Sequence, residues 1–148
     1  IREYTVTPGE KTTTISGKGK AGLKQEENYY FFYLPVCYKG ITGKSYAYYN
    51  TSRSKNLYLP ASVDENYSYD IQLPENLTLC TPIQEKKIDN PIGSFKITLT
   101  SEGSSLHIKL ALQIKKQLIT PAEYPAFRSL ITEWTDRTRK PILFKTVQ

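Results

Sequence analysis

The sequence predicts an all-β protein, an antiparallel two-sheet β-sandwich of about nine strands with one C-terminal α-helix. Three observations carry this expectation. Large apolar residues alternate with polar ones over long stretches, the mark of strands with one buried face. Pro, Gly and Asn punctuate those stretches at regular intervals. Only one segment, beginning at Thr120, changes to a helical period.

The elements can be justified in chain order. Residues 2–7 and 11–16 form two short alternating runs around the turn Pro8-Gly9-Glu10. Residues 29–36 are apolar and aromatic on both faces, which predicts a central strand covered on both sides. Residues 45–50, 56–59 and 77–81 fit further strands. In the run from Tyr67 to Leu73, Tyr67, Tyr69, Ile71 and Leu73 alternate with Ser68, Asp70 and Gln72. Phe95, Ile97 and Leu99 repeat the pattern, as do Leu106, Ile108, Leu110, Leu112 and Ile114. Glu102-Gly103-Ser104 between the last two runs reads as a hairpin turn. Thr120-Pro121-Ala122-Glu123 then reads as an N-cap, a proline at the first helical position and the Glu of a capping box. Tyr124, Phe127, Leu130, Ile131 and Trp134 follow at helical spacing on one face. Pro125 would remove one helical hydrogen bond, which moves the expected settled helix to residue 125 onward. Lys140-Pro141 ends it, and Ile142-Leu143-Phe144 reads as a closing strand. Strands with one apolar face need a second layer, and the lone helix is expected to cover one end or edge.

The 148 residues match the size of one domain, 1–148, with no internal repeat and no dividing linker. A chain of this size buries roughly 70% of its unfolded surface, enough to hold a core without cross-links. The longest apolar or aromatic run, 29–36, is too short for a membrane span, and no signal peptide is visible. With no Met and an opening Ile1, the sequence is expected to be a fragment or a processed product.

Twenty Lys and Arg against fourteen Asp and Glu give a net charge of +6, but the charges are scattered. That predicts a solvated cationic surface and no nucleic-acid partner. One His and two Cys exclude a multi-ligand zinc site, and no cofactor or metal is expected. Cys37 and Cys80 are either a disulfide, stabilising by about 4 kcal/mol in the chain-entropy account, or two separate thiols. Asn50, Asn66 and Asn76 head glycosylation sequons that matter only in a eukaryotic secreted protein.

Three motifs imitate catalytic or cofactor sites. The segment from Gly17 to Gly22 matches G-x-G-x-x-G, but the stretch before the aromatic strand is too short for the helix a dinucleotide site requires. Gly43-Lys44-Ser45 lacks the earlier glycine of a phosphate loop, because Tyr38 occupies that position. Cys37 and His107 could be imagined as nucleophile and base, yet no signature surrounds either, and His107 falls on the outward face of a strand. No pair of carboxylates has acid/base spacing. The chain is therefore expected not to be an enzyme, and no catalytic residue is assigned.

The aromatic residues are unevenly spread: nine of eighteen fall between Tyr29 and Tyr49. Tyr38, Tyr46 and Tyr48 lie beside glycines and are the candidate contacts for a partner or ligand. Tyrosine offers an apolar face with a polar tip, suited to a protein surface or to a sugar ring. A carbohydrate or glycopeptide is accordingly the alternative partner.

The order of motifs carries a family resemblance. It runs through Thr5-Val6-Thr7-Pro8-Gly9-Glu10, Gly19-Lys20-Ala21-Gly22-Leu23, Leu57-Tyr58-Leu59-Pro60 and Tyr67-Ser68-Tyr69. It continues through Leu73-Pro74-Glu75-Asn76, Gly93-Ser94-Phe95, Ile119-Thr120-Pro121-Ala122-Glu123-Tyr124, Phe127-Arg128 and Ile142-Leu143-Phe144-Lys145. This resembles the C-terminal β-domain, itself of unknown function, of bacterial transglutaminase-like proteins that also carry an N-terminal domain of unknown function. The resemblance implies an accessory domain packed beside an upstream papain-like core in the same chain. It further implies a periplasmic, outer-membrane-associated or secreted protein of a Gram-negative bacterium. The core's Cys, His and Asp motifs have no counterpart here, so the chemistry would lie upstream.

Overall fold

The computed structural model describes residues 3–35, 41, 52–136 and 141–146. Its centre is a four-stranded antiparallel sheet in the order β6-β10-β9-β8, formed by β6 (Val63–Gln72), β8 (Gln84–Asn90), β9 (Gly93–Glu102) and β10 (Ser105–Ile114). β9 and β10 are joined by a tight turn in which Gly103 takes φ +56°, a conformation that costs glycine little. The register places Ile108 between Tyr69 and Leu99, and Leu112 between Glu65 and Phe95. Alternation therefore puts the apolar rows of β6, β9 and β10, together with Ile88 of β8, on a single face. The opposite face carries Asp64, Ser68, Asp70, Lys96, His107 and Lys109 and is solvated.

Two different layers share that one buried face. Over one half lies helix α1 (Tyr124–Thr135), packed on β9 with further contacts to β8 and β10. Its buried residues are Tyr124, Phe127, Leu130, Ile131 and Trp134, the stripe the spacing predicts. They meet Ile92, Phe95, Ile97, Leu112 and Ile114, together with Leu57 and Ile119 from the small pair β5 (Leu57–Tyr58) and β11 (Leu118–Ile119). Over the other half lies a second four-stranded sheet, order β3-β4-β12-β7, made of β3 (Lys24–Glu26), β4 (Tyr29–Tyr33), β7 (Leu77–Leu79) and β12 (Pro141–Thr146). Phe32, Ile142 and Phe144 from this sheet pack on Leu99, Leu106 and Ile108, with Phe32 and Phe144 stacked 6.0 Å apart. Leu110 touches both clusters and marks the seam. Beside it Tyr69 donates a 2.5 Å hydrogen bond to the Pro35 carbonyl, and burial pushes its phenol up to about 12.

The all-β class with one C-terminal helix stands. The described residues hold twelve strands where about nine were expected, because β3, β8 and β11 lack strong apolar alternation. β4 is a central strand, but it is not covered on both sides. Phe32 is buried, while Tyr29 and Tyr33 on the other face remain exposed. No layer among the described residues covers that face, since the central sheet needs only one partner surface. The expected strand at 45–50 lies outside the described residues.

The helix start also differs from the sequence reading. The N-cap position is Glu123, without a side-chain cap, and Pro125 sits in the first turn, where its missing N–H costs nothing. Thr120 is not the N-cap. It heads a preceding turn in which its own N–H and hydroxyl donate to the Glu123 carboxylate at 3.1 and 3.0 Å. Lys116 also bonds that carboxylate. Lys116 first and then Thr120 hold the Glu123 carboxyl down at about 2, against 4.5 for the ordinary group. The unfolded chain therefore binds the proton first as pH falls. The stabilisation is complete above about pH 4.5 and lost as pH drops towards 2. Glu123→Gln is expected to flatten this part of an acid-denaturation profile while leaving the profile above pH 5 without new slope.

Asn90 ties the turn after β8 to the helix. Its carbonyl oxygen accepts from the backbone N–H groups of Ile92 and Gly93 at 3.0 and 3.3 Å. Its amide donates to the Ala126 carbonyl at 3.0 Å. Asn90→Ala removes the side-chain acceptor of the Ile92 and Gly93 amides and the tie to the helix, although Ser129 still donates to the Ala126 carbonyl, and should lower unfolding free energy by about 2 kcal/mol in a denaturant melt.

Candidate functional site

The residues singled out from sequence are not brought together. Tyr38, Tyr46, Tyr48 and Cys37 lie outside the described residues. Cys80 is half-buried, with its sulfur 3.9 Å from the Thr78 carbonyl. His107 stands on the solvated face of the central sheet, its Nδ1 2.7 Å from a carboxylate oxygen of Asp70, the residue directly opposite on β6. Gly17 and Lys18 belong to β2 (Thr13–Lys18), and β3 follows where a dinucleotide site would need a helix. Glu65 sits on the buried face of β6. Its oxygens accept from the Ile41 amide at 2.5 Å and the Tyr67 hydroxyl at 3.0 Å, so this half-buried carboxylate is hydrogen-bonded.

Two apolar surfaces remain uncovered among the described residues. β1 (Glu3–Pro8) pairs with β2 in a hairpin whose substantial contacts, among the described residues, are confined to its own two strands. Register places Val6 opposite Ile15, and Tyr4 shares their face. Tyr4 is 72% and Ile15 63% exposed. The second surface is the outer face of β4, where Phe31 and Tyr33 meet edge to face at 5.9 Å and the Lys24 ammonium lies 5.8 Å from the Tyr33 ring centre.

A cleft of about 470 Å³ opens between α1 and β8. The first turn of α1 gives one wall, with Pro121, Tyr124 and Pro125, and Ile88 of β8 contributes an apolar side chain. Arg53 and Arg128 line it together with Ser52, Ser129, Thr132 and Glu133. The Arg53 guanidinium lies 5.9 Å from the Tyr124 ring centre. Glu133 is joined to Lys86 of β8 at 2.5 Å. Sequence reasoning missed this site. Arg128 and Thr132 are four apart on the polar side of the helix, a visible signal, but nothing in the spacing connects them with Arg53. Among the described residues, no cluster of three or more His, Cys, Asp or Glu could hold a metal ion. No described helix is long and apolar enough to cross a membrane.

A four-stranded sheet whose single buried face is shared by a helix and a second sheet defines an all-β domain with a composite cover. The chain belongs to the family described as "Domain of Unknown Function with solved-structure structure" (DUF3858), whose pattern matches residues 28–144. It is similar to the crystal structure of a "putative protease" from Parabacteroides distasonis ATCC 8503, with 29% identity and a TM-score of 0.66. That similarity covers 82% of this chain and 24% of the other, so the chain spans about a quarter of that protein's length. No curated protein matches the chain.

Proposed function

We propose that the chain is a non-catalytic accessory domain that packs against, and orients, a transglutaminase-like core upstream in the same polypeptide. The observation that carries this reading is the β1–β2 hairpin, with Tyr4, Val6 and Ile15 exposed on one face. An isolated two-stranded hairpin is marginal in water, and an apolar surface against it would supply the missing layer. The exposed aromatic face of β4 offers a second contact of the same kind. The occurrence of this fold as a minor part of a much longer protein supports the reading by analogy. The same reading places the parent protein in the periplasm, at the outer membrane or outside the cell, which fractionation tests.

In the parent polypeptide, deleting residues 1–148 should lower the melting temperature or the activity of the core. Ile15→Lys should reproduce the effect by placing a charge in the contact, weakening association of separately expressed parts by tenfold or more. If core stability and activity are indifferent to the deletion, the proposal fails. Amide hydrolysis or transfer by the purified chain alone would equally overturn it.

A further inference from the structure

We propose that the cleft between α1 and β8 binds a carboxylate group carried on a partly apolar ligand, with Arg53 and Arg128 as its receptors. Arg53 and Arg128 are the arginines among the described residues, and both line this cleft. Among the described residues no ion pair engages either one, whereas Lys86, Lys87, Lys96 and Lys116 each have a carboxylate partner. The planar guanidinium fork matches two carboxylate oxygens, which a lysine ammonium does not. The Arg53 guanidinium carbon lies 5.9 Å from the centre of the Tyr124 ring, within cation–π range, which holds this side chain at the cleft.

The carboxylate already on the cleft wall, Glu133, is engaged by Lys86 and does not displace an incoming acid from the arginines. Ser52 and Thr132 add hydroxyls at the rim, and Ile88, Pro121 and Pro125 supply apolar contact. A volume of about 470 Å³ exceeds what a simple anion fills and lies within the range of small-ligand sites. The ligand class is therefore an acid group beside an apolar or aromatic body. A free small acid and an acidic side chain within a peptide both have this chemistry.

The test is an NMR titration of the full chain, following the amides of Arg128, Ser129 and Thr132. N-acetylphenylalanine represents the free acid, and the doubly blocked peptide acetyl-Ala-Glu-Phe-Ala-amide represents the side-chain acid. N-acetylphenylalanine amide and the Gln version of the peptide are the neutral controls. At least one acid should give saturable shifts that its neutral control lacks, and the responding arm identifies the source. Arg53→Gln and Arg128→Gln should each weaken binding about tenfold, or about 1.4 kcal/mol. Lys109→Gln, on the opposite face of the sheet, should change nothing. Arg128→Lys distinguishes a fork from a bare charge and should also lose affinity. The proposal is overturned if neither acid saturates up to roughly 10 mM, if acids and neutral controls titrate alike, or if the arginine variants bind as the parent chain does.

Discussion

Trp134→Ala is expected to lower the unfolding free energy by about 3–5 kcal/mol, the range for removing a buried large aromatic side chain. Trp134 is 7% exposed in the last turn of α1. Its ring meets Phe95 edge-on at 6.4 Å and Tyr67 at 5.9 Å, bridging the helix to β9 and to β6 at the margin of the sheet. Removing it opens a cavity under the helix that neither neighbour can fill without leaving its own strand. The indole N–H is buried without a hydrogen-bond partner among the described residues. Trp134→Phe should therefore cost much less than the alanine change, because it keeps most of the packing and removes an unmatched donor. Denaturant melts of the two variants provide the check. A loss below about 1 kcal/mol for Trp134→Ala would mean that the helix does not depend on this contact.

Gly93→Ala should be comparably damaging, at about 3 kcal/mol or more, for a reason unrelated to side-chain volume in the core. A Cβ at this position would stand 1.9 Å from the Gln113 carbonyl oxygen and 2.9 Å from its carbon. Both atoms belong to the β10 backbone, which is locked into ladders with β9 on one side and β6 on the other. Relief requires moving the central strand, and Asn90 holds the Gly93 amide from the opposite direction. Gly103→Ala provides the contrast. Nothing lies within 4 Å of its Cβ, so only the positive φ opposes the change, at about 1–2 kcal/mol. A loss at Gly93 no larger than that at Gly103 would show that the β10 backbone gives way at little cost.

The legible parts of this protein are those in which period and burial coincide. The alternation in β6, β9 and β10 and the spacing from Tyr124 to Trp134 identify the central sheet, the helix and most of their buried faces. A residue's direction along a strand or helix follows from backbone geometry alone. The short strands β3 and β11 were not legible, because two or three residues carry no period and their pairing partners decide their conformation. The capping-box pattern at Thr120 was legible as chemistry but misplaced as structure. Glu123 does reach back to Thr120, yet the helix begins one turn later.

The candidate site divides along the same line. Arg128 and Thr132 are readable as neighbours on one helix, while Arg53 arrives from a distant part of the chain through the folding of the segment before β5. The tyrosines expected from sequence, Tyr38, Tyr46 and Tyr48, lie outside the described residues. The sequence by itself determined the secondary-structure class, the polar and apolar faces of the long elements, and the absence of a recognisable nucleophile–base pattern. Only the tertiary structure decided that a helix and a second sheet divide one face of the central sheet. It also left one face of β4 uncovered among the described residues and assembled a cleft from Arg53 and Arg128. Local periodicity records which way a side chain points, whereas the partner it meets depends on contacts between segments far apart in the chain.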